Sequence, residues 1–164
     1  MSNSFSVFSY SPKDVILTIG GYQITGWQRI TLNRVKAVKT IKGIRGKHTR
    51  DISRDTSATL SFTLIQSTQA NEVMSYIHDL DIRLGTGRIS LTLKDTSGKS
   101  VFSSDEGYIT GYPVVTYSGQ FEDRPWELFL QTTSSFTVAG NQRASTGLFD
   151  SVLDKATDFV SDLF

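Results

Sequence analysis

Cysteine is absent from the 164 residues, so neither disulfides nor thiolate metal sites can hold the chain together, and a disulfide-stapled secreted scaffold is excluded. Histidine is nearly absent, with only His48 and His78. Long hydrophobic runs are missing too: nothing approaches the roughly 18 to 20 apolar residues that cross a bilayer. The opening stretch MSNSFSVFSYSPKD has neither the basic region nor the apolar core of a signal peptide. These absences lead us to expect a soluble protein, made in a cytoplasm, with no membrane partner. Stability has to come from packing and assembly, and a chain of this length suffices for one domain that buries about 70% of its unfolded surface.

Net charge is also nearly missing, at +1, but its distribution is uneven. Residues 29–54 hold nine Lys or Arg and one acid, Asp51, whereas 147–164 hold four Asp and one Lys. Such separation suits nucleic-acid binding, or the docking of one part of a molecule on another.

What is abundant is alternation. Ala58, Leu60, Phe62 and Leu64 share one face of a strand, and Thr59, Ser61 and Thr63 the other. The same period of two runs through Val15, Leu17 and Ile19, through Ile30 and Leu32, through Ile89, Leu91 and Leu93, and through Trp126, Leu128 and Leu130. These read as half-buried antiparallel strands. Gly20-Gly21 predicts a two-residue hairpin turn, and Asp95 and Gly98 in KDTSGKS predict a second hairpin. One segment, STQANEVMSYIHDLDIRL, is helical instead: Val73, Met74, Ile77, Leu80 and Leu84 recur at helical spacing, with Thr68 as N-cap and Glu72 at the positive end of the dipole.

The expected fold is mainly β, a two-sheet antiparallel sandwich or barrel over 1–140, with one flanking helix near 69–84. A polar linker, 141–146, then leads to a C-terminal amphipathic helix, 147–164. On that helix Phe149, Leu153, Phe159, Val160 and Leu163 belong to one wide apolar arc, and Asp150, Asp154, Asp158 and Asp162 form a stripe on the polar side. The arc packs either on its own sheet or on a neighbour. An Asp-bearing polar face does not suit a membrane anchor, which favours Lys and Arg.

Candidate chemistry is sparse. His78 lies beside apolar helix positions with no second ligand at i+3 or i+4. Asp79 and Asp81 point to different helical faces, and Asp105 and Glu106 read as solvated loop acids. Gly43, Gly46 and Lys47 miss the phosphate-loop spacing, and His48 stands where Ser or Thr should hold magnesium. Gly43-Ile44-Arg45-Gly46 fits a GXXG loop, but its β-branched flanks disagree with the helices of an RNA-binding KH module. No enzyme and no cofactor are expected.

At DTSATLSFTLIQSTQANEVM a strand ends in Leu-Ile-Gln, a Ser-Thr pair follows, and Asn71 opens a helix. This order resembles the tail tube proteins of contractile-tailed bacteriophages. The opening YSPKDVILTIGGYQITGW and the Gly-containing extension GIRGKHTRDIS are similar to that family at corresponding places, and the resemblance spans about residues 8 to 140. It implies a structural subunit of a virion tail, assembled in the host cytoplasm into stacked hexameric rings whose joined sheets form a conduit for DNA ejection. Partners would be further copies of the chain, tail sheath and baseplate proteins, with DNA passing unbound along Ser- and Thr-rich faces. Bacteriocin and secretion-system tubes share that fold, and the C-terminal helix is an addition to it. In this reading the basic extension makes inter-ring or inter-subunit contacts through Lys42, Arg45, Lys47, Arg50 and Arg54. The alternative is a monomeric nucleic-acid-binding module using 36–54 as a phosphate-contacting patch. A third expectation pairs the acidic C-terminal stripe with the basic stretch, within or between subunits.

Overall fold

The computed structural model describes residues 10–140 and 160–163. After a short 3-10 turn, Pro12–Asp14, come β1 (Val15–Ile19), β2 (Tyr22–Ile24), β3 (Trp27–Arg34), β4 (Val38–Lys42), β5 (His48–Ile52) and β6 (Ala58–Ile65). Helix α1 (Ala70–Leu84) precedes β7 (Ile89–Asp95), β8 (Val101–Ile109), β9 (Asp123–Thr132) and β10 (Ser135–Thr137). The protein is mainly β, with two antiparallel sheets and a flanking helix, as expected.

The strands divide unequally between the sheets. Eight form one sheet in the order β2-β1-β7-β8-β9-β6-β3, with β10 continuing β9 along β8, and β4-β5 stand apart as a two-stranded ribbon. The two ends of the large sheet, β2 and β3, are separated in the chain only by Thr25 and Gly26, and so lie within about 11 Å of each other. The sheet therefore has to curl into an incompletely closed barrel. Gly26 makes the corner possible: it has φ +76°, and a Cβ there would meet the Thr68 hydroxyl at 2.6 Å.

Alternation decides what goes inside. Along β6 every second residue, from Ala58 to Leu64, is buried, and the hydroxyl residues between them are half-buried on the outer face. Leu17, Ile19, Leu91, Trp126, Leu128 and Leu130 complete the middle of the core, each large side chain contributing about 1.5–3 kcal/mol through burial. Gly20 and Gly21 both have positive φ between the paired residues Ile19 and Tyr22, the hairpin expected there. Asp95 and Gly98 likewise close the β7–β8 turn.

Helix α1 lies at the end of the barrel where β6 and β8 finish and β3 begins. Asn71 fixes it there: its Nδ2 donates to the Ile65 carbonyl at 3.0 Å, and its Oδ1 accepts from buried Trp126 Nε1 at 3.0 Å. Three expectations need correction. Thr68 is not the N-cap, because its hydroxyl donates to the Thr25 carbonyl (3.0 Å) and the helix starts behind Gln69, which makes no side-chain cap. The buried stripe is Ala70, Met74 and His78, while Leu80 and Leu84 are exposed. Asp105 and Glu106 are not in a loop but at a β-bulge within β8, where register shifts against both β7 and β9.

The expected linker 141–146 and most of the C-terminal helix, including Phe149, Leu153 and Phe159, lie outside the described residues. Residues 160–163 are helical, and Val160 and Leu163 are 52% and 63% exposed.

Candidate assembly interface

The basic stretch becomes the β4–β5 ribbon. It extends the β3–β6 ladder: Arg34 pairs Ala58, the Val35 N–H donates to the Ser57 carbonyl (3.1 Å), the Ser53 N–H donates to the Ala37 carbonyl (2.7 Å), and pairing resumes at Val38 and Ile52. One side of the interruption is longer, and there Ser53, Asp55 and Ser57 brace the chain. The Ser53 hydroxyl accepts from the Asp55 N–H (3.2 Å), and the Asp55 carboxylate from the Ser57 N–H (2.9 Å). The Ser57 backbone N–H, with its side chain second, holds the Asp55 carboxyl below the usual carboxylate range.

At the far end the turn is set by Gly43 and Gly46. The Gly43 N–H donates to the Lys47 carbonyl at 2.7 Å, the Gly46 N–H donates to the Gly43 carbonyl at 3.0 Å, and Gly46 has φ +78°. This is the three-residue hairpin loop with Gly in the left-handed position. It puts Ile44 and Arg45 at the tip, with Ile44 fully exposed. The flanks of GIRG are strands, so the KH arrangement is excluded.

Every residue of the ribbon's ladder is exposed, on both faces. Cross-strand register puts Val38 with Ile52, Thr40 with Arg50 and Lys42 with His48 on one face, and Lys39 with Asp51 and Ile41 with Thr49 on the other. The five basic residues singled out from the sequence are thus not gathered on one surface. Lys42 and Arg50 share the first face, Lys47 follows on from the second, Arg45 caps the tip, and Arg54 stands beyond the base. None forms an ion pair with another described residue. Apolar and cationic side chains alternate in the open, and an isolated two-stranded ribbon is marginal in water.

The opposite end of the barrel carries a second uncovered apolar surface, which sequence patterning did not single out. Tyr76, Ile82 and Leu84 on α1 are exposed, as are Val114, Tyr117 and Phe121 in the connection between β8 and β9. That connection is nonetheless anchored: Arg124 donates to the Thr116 carbonyl (3.1 Å) and stacks over the Tyr117 ring at 5.1 Å, and Tyr112 meets buried His78 edge-on at 4.7 Å. A third open feature is the eight-residue strand β3, which among the described residues pairs only with β6. Among the described residues no group of three His, Cys, Asp or Glu is placed to hold a metal, and no helix is long and apolar enough to cross a membrane.

No protein-family model matches the chain. Its sequence is 28% identical over 156 residues to structural protein ORF10 of Pseudomonas phage KPP10, covering 88% of this chain and 90% of that protein. Its fold is similar to a chain in the tail of an empty gene transfer agent particle refined with C6 symmetry, with TM-score 0.53, 14% identity, and 79% of this chain and 100% of that one covered. It is also similar to the tube-terminating cap of the anti-feeding prophage, with TM-score 0.51, 10% identity, and 85% and 100% covered. A third likeness is to the sheath/tube terminator of an extracellular contractile injection system, with TM-score 0.51, 11% identity, and 77% and 96% covered. At these identities the likeness to solved structures is one of fold.

Proposed function

We propose that this chain is a structural, non-enzymatic component of a phage tail, and specifically a tube subunit that assembles into stacked hexameric rings forming a conduit for DNA ejection. The carrying observation is that two dissimilar surfaces lie uncovered at opposite ends of one barrel: a basic and apolar ribbon at one end, and an apolar helix and loop at the other. Surfaces of that kind fit each other, not themselves, and head-to-tail contacts between unlike patches build rings when they close and filaments when they do not. The open edge of β3 fits the same reading, since joining sheets between subunits removes an edge that otherwise invites uncontrolled pairing. The sequence relative in a phage, named as a structural protein, and the fold neighbours in tails and injection systems support it.

In this assembly Lys42, Arg45, Lys47, Arg50 and Arg54 meet neighbouring subunits. DNA passes along hydroxyl-bearing outer faces such as that of Thr59, Ser61 and Thr63, without specific binding. Sheath and baseplate proteins are the outer partners, and the place of residence is the virion tail after assembly in the host cytoplasm. The likeness to a terminator and a cap favours a second reading, in which a single ring closes the end of the tube. Negative-stain microscopy of the purified protein separates them. Filaments with a central channel support the tube subunit, isolated rings support the terminal ring, and small monodisperse particles at every concentration and salt refute both. Nucleic-acid binding through the ribbon is less well supported, because no Phe, Tyr or Trp stands between residues 35 and 57 to stack on bases.

A further inference from the structure

We infer that the C-terminal segment of one copy docks on the β4–β5 ribbon of the next copy. The inference rests on the assembly proposed above and names the occupant of one of its surfaces.

The ribbon face bearing Val38, Thr40, Lys42, His48, Arg50 and Ile52 carries an apolar pair near the base and two cations farther out, with no acid. Lys36 and Arg54 stand just beyond that base, and Lys47 and Arg45 at the tip. The opposite face includes Asp51. An occupant of the first face therefore needs an apolar strip flanked by negative charge.

Residues 147–164 have that composition. At 100° per residue, Asp150 and Asp162 are the acids nearest the two edges of the apolar arc of GLFDSVLDKATDFVSDLF, Asp162 standing behind Lys155 on its side, whereas Asp154 and Asp158 fall on the far side. A helix would separate Asp150 and Asp162 by about 18 Å, and Lys36 and Lys42 are at most about 20 Å apart along the chain. An arc laid along the ribbon thus brings one bordering acid near the basic base and the other near the basic tip.

The described residues favour a second copy as the donor. Within one subunit the ribbon is exposed on both faces, and Val160 and Leu163 are exposed as well. The chain also leaves the barrel close to the ribbon's base. Arg34 lies over the Phe136 ring at 5.1 Å, the Thr133 hydroxyl donates to the Thr56 carbonyl at 2.8 Å, and Ala139 is bonded to Ser100. The six residues 141–146 span at most about 20 Å, which lets the segment reach sideways towards a neighbour in the same ring, whose ribbon stands at the same end.

The test uses the full chain and follows the concentration at which it assembles, by sedimentation and negative-stain microscopy. Circular dichroism and thermal melting confirm that each variant is folded. Asp150→Lys with Asp162→Lys is expected to raise the assembly concentration by at least about tenfold, since two weak attractions become repulsions. Asp154→Lys with Asp158→Lys, on the far side of the arc, is expected to change it by less than about threefold. A chain with Lys42→Glu and Arg50→Glu should assemble poorly alone, yet co-assemble with the Asp150→Lys, Asp162→Lys chain, because the two reversals complement each other between copies. Wild-type-like assembly of the bordering-acid variant, equal effects of the two acid pairs, or failure of the mixture to recover would each overturn the docking while leaving the assembly reading standing. A wild-type chain that never associates would overturn both.

Discussion

Ile44 sits at the tip of the ribbon with its side chain wholly in solvent, and that makes Ile44→Ser a clean separation of folding from assembly. Position 44 is the first central residue of a turn whose only special backbone requirement falls on Gly46, so serine fits without strain. The side chain buries nothing in the subunit, and the substitution is expected to change folding stability by less than about 0.5 kcal/mol. If the tip is covered in the assembly, the lost contact is the burial of one large aliphatic side chain, about 2 kcal/mol. Each contact then weakens roughly thirtyfold. The assay is paired: urea unfolding of the dispersed subunit, and the concentration at which assemblies appear in sedimentation. Unchanged unfolding with a roughly thirtyfold higher assembly concentration is expected. Assembly at the wild-type concentration would refute the claim that the tip is an interface, and a large loss of subunit stability would refute the claim that it is free.

Three further outcomes follow from the barrel and the ribbon's base. Asn71→Ala leaves buried Trp126 Nε1 without its partner and takes one of two donors from the Ile65 carbonyl, which keeps the Thr68 N–H at 3.1 Å, and should cost about 1–3 kcal/mol in urea unfolding; a change under about 0.5 kcal/mol would contradict the bridging role. Gly107→Ala puts a Cβ 2.8 Å from Leu130 Cδ2 and 3.3 Å from the Ile89 carbonyl, and should destabilise by about 1–3 kcal/mol through overpacking, read in the same way. Asp55, whose pKa is lowered from 3.8 chiefly by the Ser57 N–H, supports the ribbon's base above the ordinary carboxylate pKa and loses that contribution as pH falls through its lower folded value. The protection factor of the Ser57 amide should therefore stay constant from neutral pH down to about pH 4 and fall below it; a fall beginning near neutrality would contradict the assignment.

The strands that close the barrel are legible because burial imposes period two on them: Ala58 to Leu64 inside, Thr59 to Thr63 outside, without exception. The ribbon is less legible for the same reason. It is buried on neither face, so Val38, Ile41 and Ile52 stand among cations with no amphipathic pattern, and only Gly43 and Gly46 hint at a turn. The basic cluster was visible as composition, but its scatter over two faces, a tip and a base depends on register. Helix α1 shows how packing overrides hydropathy. Position is right, but His78 is buried against Tyr112 while Leu80 and Leu84 face solvent, because the loop from β8 to β9 covers the side that carries the histidine. The apolar surface at that end comes from α1 and a loop more than 25 residues away in the chain, and no local periodicity brings such residues together.

Hydrogen–deuterium exchange of residues 38–52, in the dispersed subunit and in the assembled particle, tests the central claim most directly. If the ribbon is the surface by which copies join, its outward amides exchange quickly in the dispersed chain and become strongly protected on assembly, together with the apolar loop from Val114 to Phe121. Exchange in the ribbon that is equally fast in both states would contradict the account, whatever form the particle takes.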